Sequence, residues 1–366
     1  MKKKMIIYMS KMSVGGMEKV LLNLLKQSNF TKNYDVTVYM LYSKENTYLN
    51  ELKSLVKVKL LWKYKWNIFG KLICGIKMCF QLLKLSLFKS QWDVSICYPY
   101  QHPILAKLAL KSSSNNIIFI HNNLKSKYGD KLDRHCKKMQ FDKFSKVVCV
   151  SNDALKTFKD IYPNYMGNAI TINNYINGDE ILRKSKEKVN DVTYKKDVVT
   201  FINIARHEEA SKKISRIITA ANKLKNEGYK FMILLVGDGE DHQYYVDMVR
   251  NYNLEKDILL LGNKVNPYSY LKLADCFVFA SCFEGYGIVL DEARILNKPI
   301  VTTEVADAKL IIDEGYGILC DNSDDGVYVG MKKYLDEGFV TNKKFNYVKF
   351  NNNITKLLDK IVSEEL

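Results

Sequence analysis

Eight cysteines are scattered through the 366 residues without one CxxC pair, and Cys136, which follows His135, has no second ligand cluster at zinc spacing. That excludes a zinc ribbon and a dithiol redox site, and the expected compartment is the reducing cytoplasm. No uninterrupted apolar run reaches the roughly 18 residues of a membrane-spanning helix. The opening MKKKMIIYMSKMSVGG is basic, but its apolar stretch of about five residues falls short of a signal peptide's hydrophobic region, so a first β-strand is expected there instead. No short-period repeat and no low-complexity tract is visible. Acidic residues are scarce in one half only: residues 1–150 hold 27 Lys+Arg against 8 Asp+Glu, a balance of +19, while residues 151–366 hold 29 against 32, a balance of −3. An AT-rich genome would enrich lysine in both halves alike. The asymmetry points to an anionic partner for the first half, a membrane surface or a nucleic acid.

What is present describes an ordinary globular protein, 47% hydrophobic and 26% charged, of a length that favours two domains. Short apolar runs rich in β-branched residues alternate with helical patterns at 4–9, 35–41, 93–97, 116–120, 146–150 and 168–172. A second series follows at 197–205, 230–237, 258–262, 275–280 and 299–303. Strands alternating with helices in two series predict two α/β domains with parallel sheets. The polar segment 178–196 separates them, giving a first domain over 1–180, a second over 195–345, and a C-terminal helix over 346–366 that packs back toward the first.

Ligands of such sheets bind beyond the C-terminal strand ends, and the chemistry-bearing residues lie there. Gly15 and Gly16 open a helix after the first strand. His121 ends the strand 116–120, where a lone histidine is more often structural than catalytic. Arg206 ends the strand 197–205, and Lys212 follows six residues later; two cations at one strand end suit a diphosphate, although lysine is common enough here for a solvated helix face. The turn Gly237-Asp238-Gly239 closes the next strand. Then FEGYGIVLDEARILNKPIV places Glu284 and Glu292 eight residues apart around the glycines of a strand-to-helix turn. On a continuous helix that spacing separates the backbones by roughly 12 Å, too far for one shared proton. The free N–H groups of a helix start suit a phosphate, and the two carboxylates suit vicinal sugar hydroxyls.

In this order these motifs resemble the retaining, nucleotide-sugar-dependent glycosyltransferases of the GT-B fold, family 4 or group 1, of the type seen in capsule and cell-surface polysaccharide synthesis. The resemblance runs through Gly15, Gly16 and Glu18, His121, Val150 and Ser151, Arg206 and Lys212, Gly237 to Gly239, Glu284 and Glu292, and the following NKPIV. It implies two Rossmann-like domains facing across a cleft. It implies transfer of a hexose from a nucleoside diphosphate sugar, most simply a UDP-sugar, to a saccharide or lipid-diphosphate-linked acceptor, with no metal or other cofactor. The catalytic group would be His121, Arg206, Lys212 and Glu284. Donor binding would fall to Gly16, Gly237, Gly285, Tyr286, Gly287, Ile288, Val289 and Glu292, with Glu292 on the ribose and Glu284 by the sugar. Ala205 stands where a glycine commonly precedes the arginine.

Two other readings compete. A nucleotide-sugar 2-epimerase shares the architecture, and product analysis without acceptor separates it. A nucleic-acid-binding protein would use the basic half, but no recognised nucleic-acid motif appears, and the expectation is no nucleic-acid partner. Within residues 57–90, lysines and long apolar side chains combine without a spanning run; an ordinary core helix before strand 93–97 is favoured over insertion of that helix. The basic balance itself predicts reversible, peripheral attachment to the anionic inner face of the cell membrane through the first domain.

Overall fold

The structure is a computed structural model that describes residues 2–12, 16–42, 47–62, 68–87, 92–192, 197–341 and 343–363. The chain forms two compact units, residues 1–175 with 349–366 and residues 176–348. Each is built on one parallel sheet, so the class is α/β with two Rossmann-like domains.

The first sheet has β1 (Lys3–Met9), β2 (Tyr34–Tyr42), β3 (Lys57–Trp62), β4 (Val94–Cys97), β5 (Asn116–Ile120), β6 (Lys146–Cys149) and β7 (Asn168–Thr171), in the order β3-β2-β1-β4-β5-β6-β7. Its inner strands are apolar on both faces because helices cover both. Met5, Ile7 and Met9 enter one core while Ile6 and Tyr8 enter the other, and Val36, Val38 and Met40 alternate likewise with Tyr39 and Leu41. The helix Tyr347–Ser363 belongs to the first of these cores: Ile354, Leu358, Ile361 and Val362 pack among the strand residues. Its last turn is fastened by side chains, with Asn115 Nδ2 donating to Val362 O at 2.9 Å and Lys146 Nζ donating to Ile361 O.

The second sheet has β8 (Val199–Ile204), β9 (Phe231–Val236), β10 (Ile258–Gly262), β11 (Cys276–Phe279), β12 (Ile300–Thr303) and β13 (Gly317–Cys320), in the order β10-β9-β8-β11-β12-β13. The helix Ile214–Asn226 shows why it docks: Ile214, Ile217, Ile218, Ala221 and Leu224 recur at helical spacing and are buried against Phe231, Ile233 and Leu235 of β9.

Two strands were not foreseen, β3 and β13, and both are sheet edges. The polar segment 178–196 is also more ordered than its composition suggests. Asn177 caps a helix over Gly178–Lys184 by accepting from Glu180 N at 3.2 Å, and Ile181 is buried. Residues 193–196 lie outside the described residues.

Candidate functional site

In the second sheet the strand order reverses between β8 and β11. Loops leaving the C-terminal ends of two such strands diverge and open a crevice between them. The segment after β8 carries Arg206 and, at the end of the short helix Glu209–Lys212, Lys212, and the loop after β11 carries Ser281 to Gly287.

The two loops are stitched together. Cys282 N donates to Ser211 O at 2.9 Å, and Lys212 Nζ forms an ion pair with Glu284 Oε1, an oxygen that also accepts from Ser281 Oγ at 2.8 Å. These charged side chains are mostly covered, 22% and 13% exposed. Arg206 differs: its side chain is 70% exposed, and Glu208 is 4.0 Å away.

The turn after β9 shapes the Arg206 loop from behind. Gly237 has φ of 138°, and a Cβ there would lie 1.8 Å from Ala205 O; at Gly239 it would lie 2.3 Å from His207 O. The glycines therefore make room for protein backbone, and His207 N donates to Asp238 O at 3.1 Å across the approach. His207 itself is buried. Its Nδ1 lies 2.9 Å from His242 Nδ1 with the rings stacked, and its Nε2 meets no hydrogen-bond partner. Burial, with His242 beside it, pushes the His207 imidazole down to about 4.

Glu284 lies in the turn and not on the helix that follows it. Gly287, with φ of 82°, takes the left-handed conformation that starts the helix Ile288–Ile295, and no side chain caps that start. The leading N–H groups of a helix have no intrahelical acceptor, so Gly285, Tyr286, Gly287, Ile288 and Val289 lie along the backbone of an anion-favouring turn. Tyr286 offers only its backbone: the ring is buried, and its hydroxyl donates to Asp291 Oδ2 at 2.7 Å. Asp291 in turn pairs with Arg294, which reaches Glu314 at 2.9 Å. This buried network fixes the helix under the turn. Glu292, one helical turn further on, is buried with Oε1 accepting from Tyr268 Oη at 2.9 Å, so its carboxylate is held in one orientation.

His121 and Gly16 belong to the first unit. Gly16 begins the helix Gly16–Gln27, while Gly15 lies outside the described residues. His121 follows β5 and packs on Tyr98, ring centroids 4.5 Å apart. Burial pushes its imidazole down to about 4 against the opposing effect of a hydrogen bond to the Tyr98 backbone. The ring is thus neutral at physiological pH, and its buried Nε2 meets no protein partner. Ser151 is a helix cap, accepting from Ala154 N at 3.2 Å.

Sequence reasoning missed Ser281, Tyr268 and Arg216. Arg216 interrupts an otherwise apolar helix face, a signal that was there to read. It is buried and donates to Ala280 O at 3.2 Å, to Asn322 Oδ1 at 2.7 Å and to Asp324 at 3.0 Å, while Asn322 Nδ2 donates to Cys282 O at 2.9 Å. The chain end of β11 is pinned by this cluster.

A parallel sheet with Arg206, Lys212 and Glu284 gathered at its switch point, in a chain with a second Rossmann-like unit, defines a two-domain α/β protein. Residues 184–358, just under half of the chain, match the family described as Glycosyl transferases group 1. Among curated relatives, an uncharacterized glycosyltransferase of Methanocaldococcus jannaschii is 26% identical over 211 residues, 55% of this chain and 51% of that protein. The N-acetylgalactosamine-N,N'-diacetylbacillosaminyl-diphospho-undecaprenol 4-alpha-N-acetylgalactosaminyltransferase of Campylobacter jejuni is 29% identical over 124 residues, 33% of each chain. The chain thus spans about half or less of the length of these relatives. Among solved structures, Anabaena HepE in complex with UDP and glucose superposes with a TM-score of 0.73 at 14% identity, over 98% of this chain and 100% of that one. That likeness shows the fold, which is GT-B.

Proposed function

We propose that the protein is a retaining glycosyltransferase that moves a hexose from a UDP-sugar to a saccharide or lipid-diphosphate-linked acceptor in cell-surface polysaccharide synthesis. The observation that carries the reading is the meeting of Lys212 and Glu284 at the switch point, beside the helix start at Gly287, within a group 1 domain. The diphosphate would lie against the backbone of Gly285 to Val289. Arg206 and Lys212 would offset the negative charge that grows on it as it leaves, so no metal is required. Glu292 would hold the ribose, Glu284 the sugar hydroxyls. The neutral His121, whose Nδ1 is committed to the Tyr98 backbone, would accept a sugar hydroxyl at Nε2.

The transfer itself breaks the bond from the anomeric carbon to the β-phosphate oxygen and forms one to the acceptor oxygen on the same face. The acceptor's proton passes to the departing diphosphate. The bound UDP and glucose named for HepE and the undecaprenol diphosphate in the Campylobacter enzyme's name support the choice of donor and acceptor class. The excess of base over acid in residues 1–150 supports a peripheral site of action at an anionic, cytoplasm-facing membrane.

Incubation with UDP-, GDP- and ADP-sugars tests this. A bound ligand adds about 2.7 kcal/mol of stability at a hundredfold excess over Kd and so raises the melting temperature. The UDP series should stabilise most, and a product analysed with acceptor should keep the donor's anomeric configuration. A UDP-sugar converted to its 2-epimer without acceptor would give the chain to the epimerase reading instead.

A further inference from the structure

The helix Ile68–Leu87 is apolar on two opposite sides. One side is packed: Cys74 and Met78 are buried in the core that holds Tyr39 and Leu41, and Leu82 packs against it. The other carries Ile68, Phe69, Leu72, Ile76, Phe80 and Leu83, which are 56% to 81% exposed. Leu72, Ile76 and Phe80 follow one another at four-residue steps and Leu83 continues the row, so these side chains form one stripe. At about 100° per residue, Ile76 points roughly 200° away from Cys74. Scattered surface leucines are common, but a contiguous row of large apolar side chains facing water marks an interaction surface. The expectation of an ordinary core helix is corrected here: the helix has a second apolar face that the core does not use.

Charge selects the partner. Between Glu51 and Asp93 the chain carries nine lysines and no acidic residue. On the helix, Lys77 and Lys84 lie beside the stripe, between the exposed row and the packed one, with Lys77 Nζ donating to Leu61 O at 3.1 Å, while Lys71 is exposed in the first turn on the side of the packed row. A second copy docked by symmetry would bring these lysines against each other with no carboxylate to answer them. An anionic lipid layer fits both features: the apolar row enters the acyl region, and the flanking ammonium groups sit at phosphate level on stems that pack along the apolar surface. No helix among the described residues is long and apolar enough to cross a membrane. A helix of this length, about 30 Å, can lie flat instead.

We infer that the helix Ile68–Leu87 seats the protein on an anionic lipid surface, lying in the headgroup layer with Phe69, Ile76 and Phe80 among the acyl chains. The inference deepens the peripheral-attachment part of the proposed function and is independent of sugar transfer.

The test uses the full chain, vesicles rich in phosphatidylglycerol, and neutral phosphatidylcholine vesicles as the control. The wild type should cosediment with the anionic vesicles and be released by salt. Combined Phe69→Ser, Ile76→Ser and Phe80→Ser should weaken that binding by about tenfold or more with an unchanged melting temperature, because these side chains are exposed in the fold. A Phe80→Trp variant should shift its emission to the blue on binding and be quenched by lipids brominated on the acyl chain. If the triple variant binds like the wild type, or the introduced tryptophan is not quenched, the helix does not insert and attachment is by charge alone. Absence of any binding by the wild type overturns attachment as well and leaves sugar transfer untouched. A vesicle-free dimer that the triple variant abolishes gives the stripe to a second copy and overturns the lipid assignment.

Discussion

Lys212 pairs with Glu284, and on the proposed reading a diphosphate arriving at the switch point would compete with that carboxylate for one ammonium group. Removing either member therefore changes more than one contact, and the two glutamates should separate by assay. Glu292→Ala is expected to weaken UDP binding, because its carboxylate is held by Tyr268 where a ribose would lie, whereas Glu284→Ala is expected chiefly to lower turnover. Isothermal titration with UDP beside steady-state kinetics decides it; equal loss of UDP affinity in both variants contradicts the assignment. Arg206→Ala and Lys212→Ala should each cost on the order of a hundredfold in kcat, and activity should persist in EDTA. Loss with chelator and recovery with Mn²⁺ or Mg²⁺ would sink the metal-free mechanism. The buried histidine of the same loop gives a stability prediction. His207 is held near 4 in the fold against an ordinary 6.5, so an unfolded chain binds its proton first as the pH falls. Stability from this residue is complete above about 6.5 and is lost as pH drops toward about 4. A His207→Gln variant should show a shallower fall of melting temperature across that window; a slope identical to the wild type's would mean that the ring titrates normally.

Short elements surround the site, and they also mark where the sequence stopped being legible. Gly237→Ala should cost on the order of 2 to 4 kcal/mol, because it sets a methyl against the Ala205 carbonyl at a backbone angle that side chains rarely take. Chemical denaturation measures the loss, and activity should fall further than stability explains since the Arg206 loop must move. The inner strands were readable as continuous apolar runs because both their faces are covered. The edges β3 and β13 were not. β3 reads KVKLLW, with Lys57 and Lys59 on an edge that water reaches, which guards against pairing with another chain but erases the apolar signal. β13 is four half-buried residues behind Gly315. The helix Gly178–Lys184 hid in a charged segment because one capping asparagine and one buried isoleucine hold it. Motif residues were legible where chemistry needs a residue type, as at Lys212 and Glu284. Their supports were not: Ser281, Tyr268 and Arg216 act through contacts with residues 3, 24 and up to 108 positions away, which no local pattern records.

At the scale of the molecule, the first unit is made of two stretches of chain, since residues 349–366 belong with residues 1–175. Ile361 is fully buried and Leu358 nearly so in the core around β1 and β2. Ile361→Ala should therefore destabilise the first unit by about 2 to 5 kcal/mol. The UDP affinity of the second unit should stay unchanged; a parallel loss of both would mean the units do not unfold separately. The same threading sets an order of events during synthesis. Domains fold as they emerge, ordinarily the N-terminal one first. Here the residues that will form most of the first sheet leave the ribosome early, yet their core lacks Ile354, Leu358, Ile361 and Val362 until the stretch 349–363 has been made. The second unit, contiguous in sequence, can finish while the first still exposes an unfilled apolar face. A nascent chain released shortly before residue 349 would thus hold a complete second unit tied to an unfinished first one, a species suited to recognition by chaperones and proteases.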